Sequence, residues 1–177
     1  MPPTGPKADA VKAPTEDKLI EVSTDGAQKL VESYYNALQT DRGKVDAFYV
    51  PPHTTPDGKH KYPFIAINGE VMETSNALKE YLNKMRPVHY EIQTVDSHII
   101  NSQYPLGEAG SVKPEKDISI LAVVSGDVQF GGTESPKNGF SESFVFVPNK
   151  PPKDSKGKGK VAGKDFLIET QNFRVVV

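Results

Sequence analysis

The 177-residue chain has no cysteine, no tryptophan and no apolar run approaching the roughly 18 residues that a bilayer crossing requires. Without cysteine there can be no disulfide framework, thiolate metal site, thiol nucleophile or redox pair, a composition that suits a reducing compartment. The N-terminal stretch MPPTGPKADAVKAP lacks the apolar core of a signal peptide. A soluble nuclear or cytosolic protein with no membrane contact is therefore expected. An excess of one charge is also missing: 21 Lys and Arg stand against 23 Asp and Glu. A global nucleic-acid binder would be basic throughout, so any such contact has to come from a local segment. The four histidines (His53, His60, His89, His98) fall at no metal-ligand spacing and have no acidic cluster around them, and neither metal nor cofactor is expected.

What the chain has in quantity is proline and glycine, 15 and 14 residues, clustered so as to predict long loops within one domain. Residues 1–18 combine four prolines with cancelling charges and no apolar period, and read as a disordered tail ahead of a domain over 19–177. From Asp25 the residues Ala27, Leu30, Val31, Tyr34, Tyr35 and Leu38 follow helical spacing, with Asp25 and Gln28 placed as cap and reciprocal partner. Val45, Phe48 and Tyr49 suit a short second helix ended by Pro51 and Pro52. After a turn-rich loop over 51–63, Phe64–Ile67 predicts a short strand and Asn68-Gly69 a tight hairpin turn. A helix opens near Thr74 or Ser75, carries Ala77, Leu78, Tyr81, Leu82 and Met85, and stops at Pro87.

Beyond Pro87 the period changes from 3.6 to 2. Strands are expected over 88–100, 118–130, 140–147 and 166–177, joined by long insertions at about 101–117 and 148–164. The order of elements is α+β, helices on one face of a mostly antiparallel sheet. The last three strands are apolar on both parities, yet three helical segments cover only one face. A second subunit is the simplest cover for the other. Ile120, Ala122, Phe144, Phe146, Thr170 and Asn172 are candidates for that interface, although strand parity alone does not say which set faces the helices.

The order of these elements and several phrases resemble the nuclear transport factor 2 family. AQKLVESYYNAL is similar to its opening helix, and INGEVMETSNALKEYL to the hairpin and helix that follow. YEIQTVDSHII, DISILAVVSGDVQF, FSESFVFVP and DFLIETQNFRVVV are similar to its strands. The resemblance implies a strongly curved cone of sheet with helices packed inside it. The long insertions and Pro-rich tail look like those of the branch that forms the small subunits of fungal mRNA export receptors. That branch implies a heterodimer with a large mRNA export receptor through the partner's similar domain. It also implies binding of Phe-Gly nucleoporins, carriage of messenger and possibly pre-ribosomal particles, and shuttling between nucleus, nuclear pore and cytoplasm. Arg174, in the terminal NFR, matches the family position where an arginine meets a carboxylate of the partner.

Two further features have readings of their own. Between Asn149 and Asp165 lie Lys150, Lys153, Lys156, Lys158, Lys160 and Lys164 with two aspartates, a local excess of four positive charges in a chain of net charge -2. Such a segment can neutralise phosphates without reading bases, which makes it the candidate RNA or ribonucleoprotein contact; no aromatic is interleaved for base stacking. The insertion over 101–117 presents Tyr104, Pro105, Leu106 and Val112, a second candidate docking element. Two alternatives use the same fold: a homodimeric import carrier for the GDP form of Ran, and an isomerase or dehydratase whose pocket would draw on Tyr90, Asp96 and His98. No nucleophile elbow, phosphate loop or carboxylate pair supports an enzyme, and no catalytic residue is assigned.

Overall fold

The structure, a computed structural model, describes residues 13–54, 57–103, 113–131, 134–149 and 163–176. Helix α1 spans Glu16–Thr40 and begins nine residues before the expected Asp25. Its cap is Thr15, whose hydroxyl accepts from the Lys18 amide at 3.4 Å, while Glu16 and Asp17 favour the positive helix end. Asp25 and Gln28 lie inside the helix, Asp25 facing Lys29 at 3.8 Å and Gln28 donating to Glu32 at 2.9 Å. The early turns were obscured because the buried stripe there runs through Ser23 and Gly26 as well as through Leu19 and Val22. Gly26 is required: a β-carbon would stand 2.6 Å from the Phe166 ring, so only glycine lets the helix approach the sheet this closely. Of the tail expected over 1–18, residues 16–18 thus belong to the helix, and residues 1–12 lie outside the described residues.

A 3-10 turn over Arg42–Phe48 follows, held by the Arg42 guanidinium, which donates to the carbonyls of Leu38, Leu82, Met85 and Arg86. It buries Val45 and Phe48. The loop beyond carries a small hairpin, β1 (His53–Thr54) with β2 (His60–Lys61). Strands β3 (Phe64–Ile67) and β4 (Glu70–Met72) are joined through Asn68 and Gly69 at φ 51° and 89°, the left-handed pair that a tight hairpin demands. Helix α2 (Ser75–Lys84) is capped by Thr74, which accepts from the Ala77 amide at 3.0 Å.

Strands β5 (Val88–Asn101), β6 (Ser119–Phe130), β7 (Lys137–Pro148) and β8 (Phe166–Val176) complete a six-stranded sheet of order β4-β3-β8-β7-β6-β5. All pairings are antiparallel except β3 with β8, so the sheet is mixed and does not close into a barrel. A second 3-10 turn, Pro114–Lys116, precedes β6. The helices lie on one face. Beneath them Leu30, Val31, Tyr34, Leu78, Ile120, Ala122, Val124, Phe140, Phe144 and Phe146 form one continuous core. Register shifts interrupt β5 near Gln93 and Ile100 and β8 at Glu169, bending the sheet around that core.

Candidate docking face and the buried polar cluster beneath it

The face away from the helices is a regular array. Across β8, β7, β6 and β5 the register aligns Arg174, Ser141, Ser125 and Thr94 in one row. Asn172, Ser143, Val123 and Asp96 form the next, and Thr170, Val145, Leu121 and His98 a third. Strand β3 extends the last two rows with Ala66 and Phe64, and β4 adds Val71 beside Ala66. Phe64 is 51% exposed, Val71 58% and Val123 37%, so large apolar groups face outward on a surface otherwise made of hydroxyls, an amide and a few charges. Arg174 is exposed, close to the turn at Gly69, and belongs to none of the ion pairs among the described residues. Asn172 contributes a buried side-chain oxygen that has no hydrogen-bond partner.

Of the expected interface set, Arg174, Thr170 and Asn172 occupy this face. Ile120, Ala122, Phe144 and Phe146 do not: they are at most 1% exposed, packed beneath the helices, and correction of that assignment follows from parity. Phe144 pairs with Gln171, so it shares a face with Gln171 and lies opposite to Asn172. Leu121, Val123, Val145, Phe64 and Val71 are the apolar outward residues that the sequence reading missed. The available signal was the serine pair Ser141 and Ser143, one parity away from the phenylalanines.

Directly behind the array, on the helix side, lies a closed polar cluster. The Tyr34 and Tyr49 hydroxyls are 2.9 Å apart, Tyr49 donates to the Gln171 carbonyl, and the Gln171 amide donates to Tyr34 at 2.7 Å. With Tyr34 donating to Tyr49, the three groups form a ring in which each donor meets an acceptor. The second Gln171 hydrogen reaches Glu142 at 2.5 Å, and the Tyr35 hydroxyl donates to the other Glu142 oxygen. Burial pushes the Glu142 carboxyl up to about 7 from 4.5, against the two hydrogen bonds that favour its charged form. Burial likewise pushes the Tyr34, Tyr35 and Tyr49 hydroxyls well above the ordinary tyrosine value. A cavity of about 30 Å³, room for one or two waters, borders Tyr34, Tyr90, Glu142 and Gln171.

The enzyme alternative requires Tyr90, Asp96 and His98 to converge, and they do not. Tyr90 meets the rings of Tyr35 and Phe140 edge-to-face under the helices, whereas Asp96 and His98 pair with each other at 3.2 Å on the outer face. Among the described residues no group of three or more His, Asp or Glu could hold a metal ion. No helix among them is long and apolar enough to cross a membrane.

Of the lysine-rich segment, Lys150, Lys153, Lys156, Lys158 and Lys160 lie outside the described residues, as do Tyr104, Pro105, Leu106 and Val112 of the earlier insertion. Lys164 is described, and it is half-buried with its ammonium 4.3 Å from the Phe48 ring centre, held to the body by a cation–π contact. The base of the segment is clasped: the Asn149 amide donates to the Asp165 carbonyl and its side chain to the Lys164 carbonyl, both at 2.8 Å.

Helices lining a bent, mixed, open sheet whose far face stands uncovered define the chain as a member of the nuclear transport factor 2 (NTF2) domain family, whose model matches residues 26–157. No curated protein sequence matches it significantly. Its fold is similar to Mtr2. A structure of Mtr2 is 24% identical and covers 87% of this chain and 99% of its own, at a TM-score of 0.67. A chain from the complex of the Chaetomium thermophilum Mex67 NTF2-like domain with Mtr2 is 26% identical, covers 87% of this chain and 98% of its own, and has a TM-score of 0.69. A putative dehydratase of the NTF2-like family from Streptomyces avermitilis, 10% identical, covers 89% of this chain and 99% of its own at a TM-score of 0.56. At that identity the likeness concerns the fold alone.

Proposed function

We propose that this chain is the small subunit of a heterodimeric nuclear export receptor, pairing through its outer sheet face with the NTF2-like domain of a larger partner. The observation that carries the reading is Arg174. It is an exposed arginine that joins no ion pair among the described residues, in a row of small hydroxyls on the face where Phe64, Val71 and Val123 also stand out of the core. An arginine in such a setting gains most when a partner's carboxylate meets its planar fork and water is excluded. The likeness to Mtr2, solved in complex with a Mex67 NTF2-like domain, supports a partner of the same kind here.

In this reading the chain shuttles between nucleus, nuclear pore and cytoplasm with mRNA or pre-ribosomal cargo, and the heterodimer engages Phe-Gly nucleoporins. Lys150, Lys153, Lys156, Lys158 and Lys160 supply a sequence-independent contact to RNA phosphates. A non-enzymatic role fits the interior. Tyr34, Tyr35, Tyr49, Glu142 and Gln171 spend their polar atoms on one another, and the cavity beside them has room for one or two waters.

Light scattering tests the proposal. The chain coexpressed with a Mex67-type NTF2-like domain is expected to elute as a stable one-to-one complex that Arg174→Glu abolishes. A well-behaved monomer or homodimer that ignores the receptor domain would refute it and favour the homodimeric carrier or the pocket enzyme instead.

A further inference from the structure

The charges on the outer face are few and segregated. On the β8 side stands Arg174. On the β5 and β6 side stand Asp96, Asp127 and Glu91, the last in the row that pairs Glu91 with Asp127 and Asp127 with Gly139. Lys137 faces Glu91 at 2.6 Å and offsets it. Asp127 accepts from the neutral Gln93 side chain at 3.0 Å, and Asp96 faces His98, which offsets it only when protonated. Lys137 also acts on Asp127 through space, so three carboxylates share one lysine on this side of the face, an acidic excess of two while His98 is neutral, and one guanidinium stands on the other. Asp96 and Arg174 sit on strands three spacings apart, roughly 14 Å. Between them lie Ser125, Ser141, Ser143 and Val123, neutral side chains that cannot tell one docking orientation from its reverse.

We infer that the outer face fixes the orientation of its partner by this polarity: Asp96 and Asp127, four residues apart in the register of β6, each require a basic group on the partner, on the side away from the carboxylate that Arg174 requires. The inference rests on the heterodimer reading above. A partner rotated by half a turn would bring acid onto acid and base onto arginine, and like charges brought together in a forming interface select against that arrangement and slow productive encounter. Asp96 and Asp127 act here as specificity determinants, with little share in the stability of the chain itself, because Asp96 is exposed and Asp127 only half-buried.

The experiment measures association of the full chain with the purified Chaetomium thermophilum Mex67 NTF2-like domain at about 50 mM and about 300 mM NaCl, where screening differs strongly. The variants are Asp96→Asn with Asp127→Asn, and Arg174→Glu as reference, with thermal melts confirming that each folds. The doubly neutralised variant is expected to associate about tenfold more slowly at low salt and to lose most of the salt dependence of the wild-type rate. Wild-type rates, within about twofold at low salt, in a variant that melts normally would overturn the inference while leaving the heterodimer intact. Failure of the wild-type chain to bind would overturn the heterodimer reading, and this inference with it.

Discussion

Replacing Glu142 by glutamine isolates the cost of burying a carboxyl in the Tyr34–Tyr49–Gln171 cluster. In the folded chain the Glu142 proton leaves at about 7, against 4.5 for the ordinary group. Between those values the native state holds a proton that the unfolded state has released, so the Glu142 contribution to stability falls as pH rises from about 4.5 to about 7 and is level outside that window. At about 1.4 kcal/mol per pH unit, the full loss above the window is ~3 kcal/mol. The side chain is 1% exposed, so no solvent screening reduces the effect. Glu142→Gln keeps an oxygen to accept from Gln171 and places an amide against the Tyr35 hydroxyl, which can turn to accept. The variant should match the wild type at about pH 4 and exceed it by ~2–3 kcal/mol at about pH 8. Urea unfolding followed by the fluorescence of the seven tyrosines measures both curves. Parallel stability curves for the two proteins across that range would refute the reasoning, since every other titrating group is common to both.

Gly26→Ala should destabilise the fold by ~1–3 kcal/mol, because the added methyl meets a buried aromatic ring at 2.6 Å and the gain in helix propensity is smaller than the repacking cost. A drop in melting temperature reads it, and an unchanged one would mean that Phe166 yields freely. Lys153, Lys156, Lys158 and Lys160 replaced together by glutamate should weaken RNA binding and flatten its salt dependence while leaving the heterodimer intact. Unchanged affinity for single-stranded RNA at low salt would remove the segment from the cargo contact.

The elements were legible wherever one local rule dominated. Asn68-Gly69 announced the hairpin, Thr74 the start of α2, and the change of period at Pro87 the long strands. The faces were not legible, because the strands carry apolar residues on both parities. Ile120 alternates with Leu121 and Phe144 with Val145, and nothing local distinguishes inward from outward. Glu142 made matters worse, a charged residue on the inward parity whose burial becomes tolerable only once Tyr35 and Gln171 arrive from distant segments. The bulge at Glu169 then shifts the phase of β8, so that counting alternate residues back from Arg174 loses the correct face before Ile168. The charge polarity of the outer face was hidden for the same reason. Asp96, Asp127 and Arg174 are far apart in sequence, and only the register of four strands sets them on one plane.

The clasp formed by Asn149 with Lys164 and Asp165 bears on how this chain can change over time. Because the fold itself holds the two ends of the segment together, the cost of closing it rises only with the logarithm of its length, about 0.6 kcal/mol for each doubling. The sheet is thereby insulated from whatever is written between residues 150 and 163. That stretch is free to lengthen, shorten or exchange its charges for other chemistry without renegotiating the core.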